Sequence, residues 1–166
     1  MRLYVMRHGP AEDHSATGRD EDRMLTPSGR DRVRDVVRVL VREGELPVSI
    51  LTSKLVRASE TAGIVALAMK AAGRDGAPVT AHDLAPGGNG LGLVKRLVAE
   101  GRDAPMVVGH EPDLSSLVET LLAAPMPVAM DKAMVVALEL GDADVVTLRF
   151  ILDPRSLELV HDARAP

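Results

Sequence analysis

Two arginines and two histidines are the residues with chemistry to explain. Arg7 and His8 stand together in "VMRHGP", Arg57 follows the run "ILTS" by three residues, and His110 ends the run "MVVG". Arginine forks match phosphate oxygens two at a time, and in a chain without cysteine the best nucleophile on offer is an imidazole. The combination points to a phosphoryl group held by cations and attacked by nitrogen. Each signal is weak alone. A lone histidine at a strand end is more often structural, and Arg57 by itself reads most simply as a solvated helix charge. Their shared position raises them, because each follows a short apolar run, and open α/β sheets bind ligands outside the carboxyl ends of parallel strands. Backbone N–H groups where a helix begins near Ser53 would add to an anion site there.

The elements that must place these residues can be read in order. Short valine-rich runs at 3–6, 48–51, 105–108, 133–140 and 145–152 have the character of buried strands, and "PVTAHDL" at 78–84 is a weaker strand candidate. Val33, Val36, Val37, Leu40 and Val41 mark one face of a helix, with Thr26 as its N-cap, Pro27 at its first position and Gly44 just past its end. Further helical faces run through Ala58, Ala62, Val65, Ala66 and Met69, through Leu91, Val94, Leu97 and Val98, and through Leu114, Leu117, Val118, Leu121 and Leu122. Strand and helix alternate. This predicts a three-layer α/β/α sandwich around a mixed, mainly parallel sheet of about six strands, the last two forming an antiparallel hairpin at one edge across "GDAD". The glycine-rich "PGGNGLG", 86–92, reads as a lid or site rim, and residues 1–166 as one domain.

Composition narrows the partners. With 46% hydrophobic and 27% charged residues the chain falls among soluble globular proteins. Tyr4 and Phe150 are its only aromatics and its net charge is -4, so the stacking platforms and positive field of a nucleic-acid binder are missing. No cysteine means no disulfide frame and no thiolate metal site, in keeping with a reducing cytoplasm. No carboxylate set with metal spacing accompanies the histidines, so neither metal nor other cofactor is expected. No signal segment is evident at Met1, and no apolar stretch approaches the roughly 18 residues of a membrane span, so no membrane partner is expected.

"MRHG", "LTPSG", "ILTSKLVRASETA" and "VVGHEPDLS" occur in an order and spacing that resemble the histidine phosphatase superfamily, the phosphoglycerate mutase-like fold. The short chain, the "DLAPGG" loop, the "VGHEPDL" segment and the lack of an inserted cap domain are most similar to its compact branch, the SixA-type phosphohistidine phosphatases. The resemblance implies that His8 attacks phosphorus to form a phosphohistidine, while Arg7, Arg57 and His110 bind the transferring oxygens. It implies a phosphohistidine-bearing protein, a phosphotransfer domain or phosphocarrier, as substrate, and inorganic phosphate as product and inhibitor.

Departures from the family pattern matter for the leaving group. Lys54 and Glu60 stand where many members have proline and glutamine, and neither removes the chemistry. More serious, the loop "HDLAPGGNG" lacks the glutamate with which family members acting on esters protonate an alkoxide. Asp83 there reads as a strand end or turn cap. Glu12, Asp13 and Glu111 are stand-ins, each more simply a solvated charge, and Arg19 or Arg23 could reach a bound phosphate from the polar loop that also holds His14. Two other readings remain: a phosphatase or mutase for a small phosphoester using the same His8 intermediate, and a phosphate-binding module without turnover.

Overall fold

Successive side chains of the first strand alternate between two apolar layers, and the whole architecture follows from that alternation. In the computed structural model, which describes residues 1–74, 76–141 and 145–161, Arg2–Arg7 forms β1. Leu3 and Val5 point to one face, Tyr4 and Met6 to the other, and all four are fully buried. The other strands are Ser49–Thr52 (β2), Val79–Thr80 (β3), Pro105–Gly109 (β4), Val135–Leu140 (β5), Val146–Leu152 (β6) and Leu159–Val160 (β7). They form one sheet in the order β3-β2-β4-β1-β5-β6-β7.

Among the described residues, four helices cover the sheet: Pro27–Arg42 (α1), Val56–Ala71 (α2), Gly90–Ala99 (α3) and Asp113–Leu122 (α4). Val33, Val36, Val37 and Leu40 of α1 and Ala58, Ala62, Val65 and Met69 of α2 pack on the Tyr4–Met6 face. Leu93, Val94 and Leu97 of α3 and Leu114, Leu117 and Val118 of α4 cover the Leu3–Val5 face. The result is the expected three-layer sandwich. None of the helices is long and apolar enough to cross a membrane, among the described residues.

The sheet differs from expectation in balance. Among the described residues it has seven strands, and the three pairings on the β3 side of β1 are parallel while the three on the other side are antiparallel. The added strand β7 is two residues long, pairing Leu159 and Val160 with Leu152 and Ile151. It takes the edge from the antiparallel β5–β6 pair; of the "GDAD" expected to join them, residues 142–144 lie outside the described residues. The weak candidate at 78–84 supplies only Val79–Thr80 and continues into a 3₁₀ turn at His82–Leu84. Both edges are thus too short to template another chain. Within "PGGNGLG", Asn89 caps α3 by accepting from the Gly92 N–H, so the second half of that loop is a helix start.

Candidate active site

β4 lies between β2 and β1, and these three parallel strands end on the same side. Just past their ends come Ser53, His8 and His110, tied to each other through the backbone: Ser53 N–H donates to Val108 O at 3.0 Å and His8 N–H to Gly109 O at 3.2 Å. The imidazoles of His8 and His110 face one another with ring centroids 5.1 Å apart. Arg57 enters from the first turn of α2. His8, His110 and Arg57 are 6%, 4% and 5% exposed, so the solvated reading of Arg57 does not hold. Arg7, half-buried at the end of β1, donates from Nη1 to Met130 O at 2.7 Å.

Small residues let these elements close on each other. A side chain at Gly9 would place its Cβ 2.6 Å from Val33 Cγ2, and one at Gly29 would place it 2.0 Å from the Pro10 carbonyl oxygen. The segment following His8 therefore lies directly on the start of α1. Thr26 strengthens that seam: its N–H donates to Pro10 O at 3.1 Å, while its hydroxyl accepts from Gly29 N–H at 2.9 Å and caps the helix. Thr61 joins the same segment to α2, since its hydroxyl accepts from Gly9 N–H at 3.0 Å and donates to Arg57 O at 2.7 Å. Glu60 links α2 to α1 by accepting from Leu25 N–H and from Arg30 Nη2, both at 2.6 Å.

The protonation of the pair follows from these contacts. His8 Nδ1 lies 2.7 Å from Gly9 O, and because a carbonyl can only accept, Nδ1 carries the hydrogen and Nε2 keeps its lone pair. Burial holds the His8 ring down to about 3, the Gly9 hydrogen bond opposes this, and His110, Arg57 and Arg7 depress it further. Burial, with Arg57 next, likewise lowers His110 to about 4, so it is neutral near pH 7. Both nitrogens of His110, Arg7 Nε and Arg57 Nε are buried without a partner among the described residues. The two guanidinium N–H groups and the single N–H of neutral His110 are donors without acceptors, which suits an acceptor-rich ligand.

Sequence reasoning missed one neighbour of this cluster. Asp20, in a 3₁₀ turn at Asp20–Asp22, accepts from both arms of Arg57, at 2.8 Å through its carbonyl and 3.0 Å through Oδ2. Its Oδ1 lies 3.0 Å from Arg23 Nε. Burial pushes the Asp20 carboxyl up, but the hydrogen bond and charge of Arg57, with Arg23 and His110 behind them, bring it below the ordinary range. A loop reading "GRDEDRM" has no periodicity to mark Asp20 among its charges.

The secondary candidates scatter. Asp13 and His14 are exposed, and Arg19 turns outward to Glu21 and Asp22. Glu111 accepts from the N–H and hydroxyl of Ser115, at 3.1 and 2.6 Å, and so braces the first turn of α4. Asp83 pairs with Arg96 at 2.7 Å. Glu12 accepts through its carbonyl from Arg23 at 3.1 Å. Lys54 is half exposed, 3.7 Å from Glu21. Ser53 is fully buried, but α2 starts only at Val56, and the Ser53 hydroxyl is engaged by Leu55 N–H at 3.3 Å. The helix start therefore belongs to residues after Ser53. No group of three or more histidines and carboxylates is placed to hold a metal ion, among the described residues. Beside His110 opens a pocket of about 180 Å³ lined by Asp83, Asn89, Asp113, Ser116, Thr120 and leucines.

Residues 3–82 match the model of the histidine phosphatase superfamily (branch 1). An uncharacterized protein of Picosynechococcus sp. is 38% identical over 125 residues, 73% of each chain. The protein histidine phosphatase SixA, solved in complex with tungstate, superposes with a TM-score of 0.83 at 25% identity, covering 95% of this chain and 100% of its own. A candidate phosphohistidine phosphatase SixA of Agrobacterium tumefaciens superposes with a TM-score of 0.76 at 22% identity, covering 92% and 97%.

Proposed function

The chain belongs to the histidine phosphatase superfamily and is a phosphatase, and we propose that it removes phosphate from protein phosphohistidine through a covalent intermediate on His8, without a metal. The observation that carries this reading is the His8 tautomer. With Nδ1–H given to Gly9 O, Nε2 is a neutral, unprotonated nitrogen set among Arg7, Arg57 and His110. In the first step Nε2 bonds to phosphorus as the bond from phosphorus to the substrate nitrogen breaks, and that nitrogen takes a proton from water. In the second, water attacks the phosphohistidine, releasing inorganic phosphate and returning the pair of electrons to Nε2. Arg7 and Arg57 neutralise the oxygens throughout, supplying charge that other phosphatases take from a metal. His110 donates to them, and the dianion would raise its pKa while bound. The tungstate held by the similar SixA structure is an oxyanion of the same tetrahedral kind.

The acids support this substrate class. The carboxylate nearest the cluster, Asp20, is held ionised by Arg57, and Asp83 and Glu111 are engaged elsewhere. None of these three carboxyl groups is thus poised to protonate a leaving alkoxide, whereas imidazole leaves without strong acid assistance. One observation favours a small phosphoester instead: the pocket beside His110 is lined with hydroxyl, amide and carboxylate groups able to bind an alcohol. Comparing kcat/KM for phosphohistidine, aryl phosphates and alkyl phosphates separates the two. We expect a gap of about 10²- to 10⁴-fold against alkyl phosphates, the usual worth of general acid catalysis. A flat dependence on leaving group would favour the ester reading.

A further inference from the structure

A second concentration of positive charge lies on the other flank of Arg7. The segment leading into β5 runs beside the end of β1: Ala133 N–H donates to both Arg7 O at 3.2 Å and His8 O at 3.1 Å, and Arg7 N–H donates to Met134 O at 3.1 Å. Lys132 is therefore fixed next to the catalytic strand end. The turn between β6 and β7 brings Arg155 to the same place, with Nη2 3.0 Å from Asp131 Oδ2. Arg32 arrives on α1 one turn beyond Gly29, the residue in contact with Pro10. Arg7, Pro10, Arg32, Asp131, Lys132 and Arg155 line a pocket of about 250 Å³.

Among the described residues, four cations thus face one carboxylate, in a chain whose net charge is -4. Asp131 is already paired with Arg155, while Arg32 and Lys132 have no carboxylate partner among the described residues. The His8 mechanism uses Arg7 alone of this group. Resting on the phosphohistidine reading above, we propose that Arg32, Lys132 and Arg155 form a docking surface for aspartate and glutamate side chains flanking the phosphohistidine of the substrate protein. Lys132 and Arg155 are exposed, and the three cations come from three separate segments. Such a spread of long, mobile side chains suits several carboxylates on a facing surface. It does not converge rigid donors on one phosphate, and Asp131 in its midst would repel a dianion. Contacts of this type raise the association rate and weaken with salt.

The test uses a peptide with one histidine flanked on both sides by glutamates, and a control with glutamines in their place. Binding of the unphosphorylated peptides is followed by fluorescence anisotropy. We expect the acidic peptide to bind more tightly than the control, to weaken with added salt, and to lose about tenfold in affinity in Lys132→Glu/Arg155→Glu. Hydrolysis of an aryl phosphate stays unchanged in that variant, which shows it to be folded, and Arg32→Ala gives a smaller loss in the same direction. Equal binding of the two peptides, or no loss in the variant, would overturn the proposal. So would calorimetry showing a second inorganic phosphate bound per chain and lost in the variant, since the pocket would then hold a small anion. The phosphorylated acidic peptide separates the two claims: binding as expected with no hydrolysis leaves the docking surface standing and removes the phosphohistidine reading.

Discussion

Burial, more than any neighbouring charge, keeps His8 neutral, and the cost of placing a cation between Arg7 and Arg57 adds to it. The pH dependence of activity follows in sign. A group held down to about 3 does not protonate on going from pH 7 to about 4.5, so kcat/KM on an aryl phosphate, corrected for the substrate's own ionisation, stays level over that range. A fall centred near the ordinary histidine value of about 6.5 would mean that His8 is solvated in the working enzyme. Asp20 yields a second expectation. Its carboxylate takes Nη2 of Arg57 while its backbone carbonyl takes Nη1, and the carboxylate is itself largely exposed, so it competes with phosphate for one arm through a pair of modest strength. Asp20→Ala should tighten competitive inhibition by inorganic phosphate about two- to fivefold, within the range of exposed ion pairs. Weaker inhibition would show that Asp20 positions Arg57 for its ligand. That Arg7, His8, Arg57 and His110 come to one edge of the sheet was legible in the sequence because each ends or closely follows an apolar run. Asp20 was not, because its role depends on a long-range contact with Arg57 that no local pattern encodes.

The glycines of "RHGP" and "TPSG" belong to the scale of elements, since they set how closely the segment after His8 can lie on α1. Both would clash if given a Cβ, but against different kinds of neighbour. Gly9 faces the tip of Val33, a side chain that can be shortened, whereas Gly29 faces the Pro10 backbone, which can only move. Gly9→Ala should cost about 1–3 kcal/mol, the usual range for overpacking, and be partly restored by Val33→Ala. Gly29→Ala should cost at least as much, be untouched by that second change, and lower activity by displacing Pro10 and with it His8. Thermal melts and aryl phosphate assays on the four proteins distinguish these outcomes; equal rescue of both glycine variants would contradict the assignment. Strand and helix order was readable because valine runs and helical faces are local patterns. β7 was not, because two residues, Leu159 and Val160, become a strand only through pairing with Ile151 and Leu152. The same limit hid the even split of the sheet into parallel and antiparallel halves.

Across the whole molecule, one side of the sheet collects the site: the three parallel strands β2, β4 and β1 end there, and the start of β5 brings Lys132 alongside. The approach of these strand ends was legible from alternation alone, because ligand sites in such sheets follow from topology. The basic pocket was not, since Arg32, Lys132 and Arg155 lie far apart in sequence and carry no motif. In the proposed mechanism His8 becomes phosphorylated during turnover. Labelled substrate mixed with the enzyme and quenched in mild base within the first turnover reports on it directly. One labelled phosphate per chain is expected, stable to base, released by acid, mapped to His8 and absent from His8→Ala. Turnover without labelled protein, or label retained in His8→Ala, would contradict it.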